Sequence, residues 1–497
     1  MKNIFKVSAL ALCFMVTACS DFLDLKPRDM KVVSTVEDYR DILATYMRLV
    51  KTVDPLQEPL VFGEAYCSPK FVCAGLCGIY TGETTIQTTS GAAYYNSNSG
   101  IYTPDGKALL NWMRPDEEIW NRYYRFLGPI NLIIESIPTA EGTDEDLRNY
   151  VKGEALAWRA YSFFKLLQFY SPYKQNEYGI PLTLTAIKDI GIAKPVRAAQ
   201  SECFAQILKD CNEVLALLEK TGTHPWNCIY RKDFVQAMMA AVYHWKAMSG
   251  AAEAADWAQA EKYASAAMNM RSLTNESAVL KELFDCSRVN RMKPFEHDEC
   301  YIRLKEGSWR QLLNETFRMA YYAENTEKRV DGIPKPEHLA MFKATDIRRQ
   351  AWFTADGRSD KYSLLQDSYG AILIPFRLAE MYLIKAEALA RQGKTGEAVA
   401  VMTEFCKARY TDDQTIPTDA AKLLQLILDQ RFCEFYHEND MRWFEMKRLG
   451  VKVERIVEGE RYVLLPDDFR YTFPIPRREL ELNVKMKQTP GWENVNY

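Results

Sequence analysis

Four charged residues near the carboxyl end include two glutamates with the spacing of a catalytic carboxylate pair. In DQRFCEFYHENDMRWFEMKRLG, spacings of three, four and four separate Arg431, Glu434, Glu438 and Arg442. On a continuous helix these positions share one face. Two carboxylates one turn apart could serve a retaining glycosidase, whose carboxyl groups lie about 5–5.5 Å apart. The neighbouring arginines argue against this, because a nearby positive charge keeps a carboxylate ionised whereas the acid needs a raised pKa. We predict an ion and hydrogen-bond network between helices, and no enzyme activity.

Neither the histidines nor the cysteines have the spacing of a metal site. The five histidines are scattered, at positions 224, 244, 297, 338 and 437. The closest cysteine group is Cys67, Cys73 and Cys77, with intervals of five and three residues and no histidine before His224. Zinc sites favour two-residue intervals with histidines nearby, so we expect buried thiols or one local disulfide, with the pairing left open. The sequence contains no nucleophile elbow, phosphate loop or dinucleotide-binding glycine pattern, and we predict no cofactor and no metal.

The amino end has the features of a secretory signal with a lipid-attachment cysteine. Two lysines precede the apolar run VSALALCFMV at 7–16, and compact residues lead into Cys19. The run is too short to span a bilayer, which takes roughly 20 apolar residues. A cysteine at the cleavage point is typical of bacterial lipoproteins, whose two or more acyl chains give stable anchoring. We predict a signal peptide over 1–18, a lipid anchor at Cys19 and a tether over 19–35. An ordinary secreted protein is the alternative.

Composition excludes some partners and leaves the role of the aromatic residues open. The chain has 497 residues with 63 basic and 66 acidic side chains, for a formal net charge of −3, and no basic block stands out. We therefore expect no nucleic-acid partner. Tyrosine and tryptophan are abundant, at 28 and 10 residues. Such rings either pack between helices or form platforms for sugars, and we expect most of them to pack.

Helical periodicity dominates the chain. Apolar spacing predicts helices over 36–50, 117–137 and 144–173, the last capped by Asp144 or Thr143. The apolar positions of the helix predicted over 144–173 form one stripe. Further helical stretches, after a proline- and glycine-bearing linker at 172–198, lie at 201–220, 231–250, 256–270, 376–410 (helix, turn, helix) and 420–450.

The recurring unit is a pair of antiparallel helices with small residues at their contact. Tetratricopeptide-like spacing is seen at Tyr382, Ala386, Leu389, Gly393 and Ala398. The earlier pair repeats the small-residue second helix at Ala260, Ala264 and Ala267. Such pairs cannot bury their apolar faces alone, so they must stack. We predict a mainly α fold over 36–497, a tetratricopeptide-like helical-repeat scaffold with long irregular insertions at about 60–112 and 271–370 that carry the ligand surface.

Five stretches in order along the chain form a longer pattern: CSDFLDLKP, IWNRYYRFLGPINLIIESI, GEALAWRAYSFFKLLQFYSPY, DQRFCEFYHENDMRWFEMKRLG and FPIPRRELELNVKMKQTPGW. The residues that define this pattern in the second and third stretches include Trp120, Tyr124, Asn131, Arg159, Phe164 and Tyr170. The set resembles the SusD/RagB family of outer-membrane nutrient-binding lipoproteins. Departures from the family pattern, which we expect to touch scaffold positions, occur at Gln430, Asn439, Asp440, Thr489 and Trp492.

The resemblance implies a cellular location and a partner protein. Members of this family sit on the cell surface, anchored in the outer membrane by lipid. They cap a TonB-dependent outer-membrane β-barrel transporter as a lid and pass it oligosaccharides or, in some members, peptides. The lipid at Cys19 would anchor this lid, and the tether after it would let the lid hinge. Both ligand classes stay open, with a surface glycosidase as a further alternative.

Candidate ligand-binding residues are placed by segment, since no family binding residue aligns with this chain. Sugars present apolar C–H faces and hydroxyl rims, which call for flat aromatics beside amides or charges. These should lie on irregular segments, because a repeat helix buries its own aromatics. The candidates are Tyr94, Tyr95, Asn96, Asn98 and Tyr102 in 80–112, and Trp309, Arg310, Tyr321 and Tyr322 in 307–322. The alternative is that these rings only pack onto the helical body.

Overall fold

The computed structural model of the chain describes residues 33–50, 81–83, 106–113, 117–186, 195–224, 227–269, 271–284, 297–302, 304–306, 334–355, 357, 359, 361, 371–438 and 440–495. The helices in these ranges are α1 Val36–Val50, α2 Gly106–Leu110, α3 Glu117–Ser136, α4 Glu145–Tyr170, α5 Gln200–Thr221, α6 Lys232–Lys246, α7 Asp256–Ala267, α8 Ser277–Glu282, α9 Pro336–Leu339, α10 Ile347–Trp352, α11 Leu378–Arg391, α12 Thr395–Arg409, α13 Ala420–Phe435, α14 Met441–Leu449 and α15 Arg477–Leu482. The strands are β1 Leu304–Glu306, β2 Ala371–Leu373, β3 Val453–Val457 and β4 Glu460–Leu464. The predicted mainly α fold is confirmed.

Helix α4 is the centre of the amino-terminal part. Its predicted cap is confirmed, since the Asp144 carboxylate accepts a hydrogen bond from the Leu147 N–H at 2.8 Å. The expectation of one apolar stripe is wrong, because almost every side chain from Val151 to Tyr170 is buried. Helices α3 and α5 pack along its sides, so its polar positions are buried as well.

The predicted antiparallel pairs are present and they stack. Helices α6 and α7 pack together, as do α11 and α12, and α7 also packs on α11. The small residues predicted at these contacts are buried: Ala260, Ala264, Ala267, Ala386 and Ala398. The α11–α12 turn has Gly393 at φ 77°, a conformation that favours glycine. The face that one pair leaves uncovered is thus covered by the next.

The helical piece predicted over 420–450 is broken. Helix α13 ends at Phe435, α14 begins at Met441, and His437 between them has φ 50°. The buried Lys361 ammonium donates to the carbonyl oxygens of Glu434 and Tyr436, at 2.7 and 3.2 Å. These bonds satisfy carbonyl groups at the end of α13, where a helix leaves its last carbonyls unpaired.

Two short antiparallel pairs accompany the helices. Strand β1 pairs with β2, and β3 pairs with β4 in a register that sets Val453 opposite Leu464. The turn between β3 and β4 is Glu458–Gly459, both with positive φ, as a two-residue hairpin turn requires. The sequence analysis predicted no strand over 453–464. Among the helices in the described ranges, none is long and apolar enough to cross a membrane.

Candidate functional site

The ten residues named from the sequence as lipid-anchor or ligand-binding candidates lie outside the described ranges: Cys19, Tyr94, Tyr95, Asn96, Asn98, Tyr102, Trp309, Arg310, Tyr321 and Tyr322. Their roles stay predictions. The structure does describe residues that flank the two candidate segments, and it brings three of these flanks into one region.

The first flank is the three-residue segment Thr81–Glu83, which is buried. The Glu83 carboxylate accepts a hydrogen bond from Nε of Arg442 in α14 at 2.7 Å. The Arg442 guanidinium in turn lies 4.4 Å from the centre of the Phe432 ring. The Glu83 carbonyl oxygen accepts from the Tyr436 hydroxyl at 3.3 Å. An ion pair and a main-chain hydrogen bond therefore fix this segment against the α13–α14 corner.

Glycine is required in the middle of this segment. Gly82 has φ +68°, and a Cβ there would lie 2.5 Å from Cγ1 of Val453 in β3. That distance is far shorter than van der Waals contact between carbon atoms. The main chain thus approaches the hairpin closely at the point where the chain enters the first candidate segment.

The second flank, Pro334–Lys335, begins 12 positions after the other candidate segment ends at Tyr322. The Lys335 N–H donates to the Glu83 carbonyl oxygen at 3.2 Å. The main chain near the start of the first candidate segment thus contacts main chain beyond the end of the second, although about 250 positions separate Glu83 from Lys335 in the sequence. We call Thr81–Glu83 with Pro334–Lys335 the insertion junction.

A third flank, Gly106–Met113, packs on the β3–β4 hairpin. The Arg455 guanidinium lies 4.5 Å from the centre of the buried Trp112 ring. Arg470 donates to the Asn111 carbonyl at 3.0 Å, and Lys107 pairs with Glu460 at 2.7 Å. The same hairpin approaches Gly82 closely through Val453, so this flank and the insertion junction have one neighbour in common.

Burial decides the protonation of the side chains at the junction. It lowers the pKa of Lys335 and of His338, with opposing contributions from nearby acids. It raises the pKa of Tyr436 well above its ordinary value, which keeps this hydroxyl a hydrogen-bond donor. The junction holds chain segments in place by desolvated contacts, and its groups lack the mutual geometry of a nucleophile and base.

The predicted ion network is present, with partners the sequence did not name. The Glu434 carboxylate is fully buried and accepts hydrogen bonds from three guanidinium groups, those of Arg348, Arg377 and Arg409. Its pKa is held well below the ordinary value: burial alone would raise it, and the three guanidinium charges outweigh burial. Such a group cannot serve as the protonated acid of a glycosidase.

The expectation that the four charged residues share a helix face is wrong, because the break after Phe435 separates them. Arg431 bonds to Glu445, while Arg442 bonds to Glu83. Glu434 and Glu438 do share one partner, since Arg377 donates to both at 2.7 Å. The four residues therefore make three separate sets of contacts, instead of lying along one helix face as predicted.

The residues that carried the family resemblance have scaffold contacts. The Trp120 N–H donates to the Tyr170 hydroxyl at 3.0 Å, and Arg159 makes two hydrogen bonds to the buried Asp210 at 2.7 and 2.8 Å. Among the departures, Gln430 accepts from Arg348, and the buried Trp492 donates to the Thr472 carbonyl. Trp120 and Arg159 therefore hold helices together, and Gln430 and Trp492 also have buried scaffold contacts, while Asn439 lies outside the described residues.

The described part of the chain contains no group of three histidine, cysteine or acidic side chains able to hold a metal ion. Its cysteines are buried free thiols: Cys203, Cys211, Cys228, Cys300, Cys406 and Cys433. The Cys67, Cys73 and Cys77 group lies outside the described ranges.

Sequence reasoning missed the junction residues. Glu83 lies in a stretch rich in glycine, serine and threonine without periodicity, and nothing local marks it as an ion-pair partner. The only usable signal was Gly82, since a glycine beside a charged residue in such a stretch suggests a close main-chain approach.

The fold and the junction define a class: a stacked helical-repeat protein in which the described residues Thr81–Glu83 and Pro334–Lys335, from two insertions, contact each other on the scaffold. Comparison with known proteins then identifies the family. A family described as "Starch-binding associating with outer membrane" matches residues 21–244, and one described as "SusD family" matches 366–492. The chain belongs to the SusD/RagB family.

Relatives agree with this assignment. The SusD-like protein P38 of Formosa agariphila is 34% identical over 124 residues, which cover 23% of this chain and 24% of that relative. A SusD superfamily protein of Bacteroides thetaiotaomicron has a similar structure, with TM-score 0.68, 20% identity, and coverage of 92% of this chain and 100% of that one. A SusD-like carbohydrate-binding protein of Bacteroides vulgatus has TM-score 0.63 at 18% identity, with coverage of 91% and 97%. These structures share the fold.

Proposed function

We propose that this protein is a cell-surface lipoprotein, anchored through Cys19, that binds oligosaccharides without chemically altering them. It delivers them to a TonB-dependent outer-membrane transporter, over which it acts as a lid. Membership of the family supports the role, since its matching model is described as starch-binding and as associating with the outer membrane.

The observation that carries the ligand-binding part is the Lys335 to Glu83 hydrogen bond at the insertion junction. It joins Glu83, near the start of one candidate segment, to a residue 13 positions after the end of the other. Two segments that each hold several aromatic residues can therefore contribute to one surface. On this proposal, Tyr94, Tyr95 and Trp309 stack on sugar faces, and Asn96, Asn98 and Arg310 bond to hydroxyl rims.

The test is ligand titration of the double variant Tyr94→Ala/Tyr95→Ala, and separately of Trp309→Ala, with oligosaccharides first selected on a glycan array. One stacked ring contributes on the order of 1–2 kcal/mol, so the double variant should bind about ten- to several-hundred-fold more weakly. Its melting temperature should change little.

A matched control removes two other tyrosines. Tyr243 and Tyr263 stack on each other on the repeat scaffold, with ring centres 5.7 Å apart. Tyr243→Ala/Tyr263→Ala should leave ligand affinity unchanged. Unchanged affinity in both test variants would place the site elsewhere. Binding of a peptide library in place of glycans would assign the lid to peptides.

The transporter partnership has its own test. Gentle solubilisation of outer membranes should recover the lipoprotein together with a large β-barrel. Recovery of the lipoprotein alone, under conditions that keep other outer-membrane complexes intact, would argue against the lid role.

A further inference from the structure

Two buried residues of opposite hydrogen-bonding character line one cavity of about 50 Å³. Glu380 in α11 and Arg431 in α13 are 5% and 4% exposed. Within the part of the chain that the structure describes, Oε2 of Glu380 and Nη1 of Arg431 have no hydrogen-bond partner. Leaving such a group unsatisfied is unfavourable, and more so when it is charged.

The other charged groups around this cavity already have partners in the protein. Lys165 donates to Asp440 at 2.9 Å. His244 bonds to Glu387 at 2.8 Å, and Arg448 donates to the same carboxylate at 2.9 Å. Arg431 itself uses Nε and Nη2 on Glu445, at 3.1 and 3.3 Å. The unpartnered atoms among these groups are therefore one carboxylate oxygen and one guanidinium nitrogen, which carries two N–H groups.

This pair of groups restricts what the cavity can bind. Its occupant must donate to the carboxylate of Glu380 and accept from the guanidinium of Arg431. Water does both, whereas a halide ion can only accept and an alkali cation would face the guanidinium charge. A volume of about 50 Å³ suffices, since one water needs roughly 10–15 Å³ of such space.

We propose that this cavity binds ordered water that donates to Oε2 of Glu380 and accepts from Nη1 of Arg431. The inference is independent of the proposed function.

The position of the cavity gives this water a structural role. Side chains of α4 and α6, from the region matched over 21–244, line one side of the cavity. Side chains of α11, α13 and α14, from the region matched over 366–492, line the other. The two groups that bind the water belong to α11 and α13, so the water joins two helices of the second region at the place where helices of the first region pack against them.

Water also suits both protonation states of the carboxyl group. Burial raises the pKa of Glu380 to about 7, against the lowering effect of the Arg431 and Arg377 charges. Water can donate to the carboxylate and can accept from the carboxylic acid, so the site stays satisfied in either form.

A crystal structure of the wild-type protein at a resolution that shows ordered water tests the proposal. We expect density within hydrogen-bond distance of both Oε2 of Glu380 and Nη1 of Arg431. Direct contact between the two side chains, with no density between them, would overturn the inference. A bromide soak should give no anomalous peak in the cavity, and a peak there would mean an anion site instead.

Two variants test which group holds the water. Glu380→Gln keeps an acceptor of the same shape and should keep the density. Glu380→Met removes the acceptor at similar volume and should lose it, or leave it only on Arg431. Full, unshifted density in Glu380→Met crystals would show that Glu380 does not hold this water. The wild-type experiment decides the matter should the methionine variant fail to fold.

Discussion

Nε of Arg442 lies 2.7 Å from Oε1 of Glu83, a residue 359 positions earlier in the chain. The two side chains come from different kinds of structure. Arg442 is in the first turn of α14, while Glu83 is in a three-residue segment that precedes the first candidate ligand segment. Helix α14 thereby holds the insertion junction. The ion pair thus fixes the residues beside the proposed ligand surface relative to the scaffold.

Replacing Arg442 by methionine should release the junction without unfolding the protein. Glu83 is almost fully buried, and a buried charge that loses its partner costs about 3–5 kcal/mol. The structure can avoid this cost if Thr81–Glu83 detaches locally from α14. We expect faster hydrogen exchange at the Lys335 amide, which bonds to the Glu83 carbonyl, and weaker ligand binding.

The control for this prediction is Arg461→Met. Arg461 pairs with Glu454 on the exposed surface of the hairpin, and such pairs contribute little to stability. Exchange at the Lys335 amide should be unchanged in this control. Unchanged exchange in Arg442→Met as well would show that the ion pair does not hold the junction.

Alanine at position 82 should disturb the same junction by a different mechanism. Its Cβ would overlap Val453, and alanine disfavours the φ of +68° at this position. Overpacking costs about 1–3 kcal/mol and the left-handed conformation about 1–2 kcal/mol. We expect a lower melting temperature. In a Val453→Ala background the same Gly82→Ala change should lower it less, because the overlap is removed and only the conformational cost remains. A melting temperature equal to that of the wild type would refute the close approach.

The helices could be predicted from sequence because their signals are local. Asp144 lies directly before a periodic apolar run, and Ala260, Ala264 and Ala267 of α7 recur at helical spacing. The break after Phe435 has no such local signal, because it depends on Lys361, 75 positions before Tyr436. The hairpin had only a weak signal, the β-branched residues of VERIV before Glu458–Gly459. Its residue types do not alternate, since the buried side chain at its centre is Arg455 and the exposed one beside it is Ile456.

The ion network shows more clearly how much local sequence spacing can predict. The Arg431 to Arg442 spacing predicted that charges would pair, since buried charges need partners. The partners Arg348 and Arg377 lie 86 and 57 positions from Glu434, and pairing at such separations depends on how the helices pack. Local spacing therefore predicted the kind of interaction, and only the folded chain identifies its members.

The lipid anchor can be tested in cells. Cys19→Ala removes the thiol that would carry the acyl chain, so the protein should leave the membrane fraction for the soluble fraction. Acyl chains contribute about 0.8 kcal/mol per buried methylene, and no charge on this near-neutral chain replaces them. Cys13→Ala, within the predicted signal peptide, is the matched control and should remain membrane-bound. Membrane retention of Cys19→Ala that only detergent reverses would contradict the anchor.

His244 should make the fold less stable as the pH falls from about 6.5 towards 4. Burial lowers the pKa of His244 to about 4, helped by the positive charge of Arg448 and opposed by Glu387. The unfolded chain binds the proton near the ordinary value of about 6.5, so below that pH protonation favours the unfolded state. The loss is on the order of 2–3 kcal/mol when the pH reaches the folded value.

His244→Gln should remove this contribution, because its amide can still donate to Glu387 but does not titrate. The comparison is the free energy of unfolding of the variant and the wild type at pH 7.5, 6, 5 and 4.5. We expect the difference to move in favour of the variant as the pH falls. His437 has its pKa lowered to about 3 and loses stability over the same range in both proteins, so it cancels in this difference. A constant difference for His244→Gln would mean that this histidine binds its proton equally well in the folded and unfolded chains.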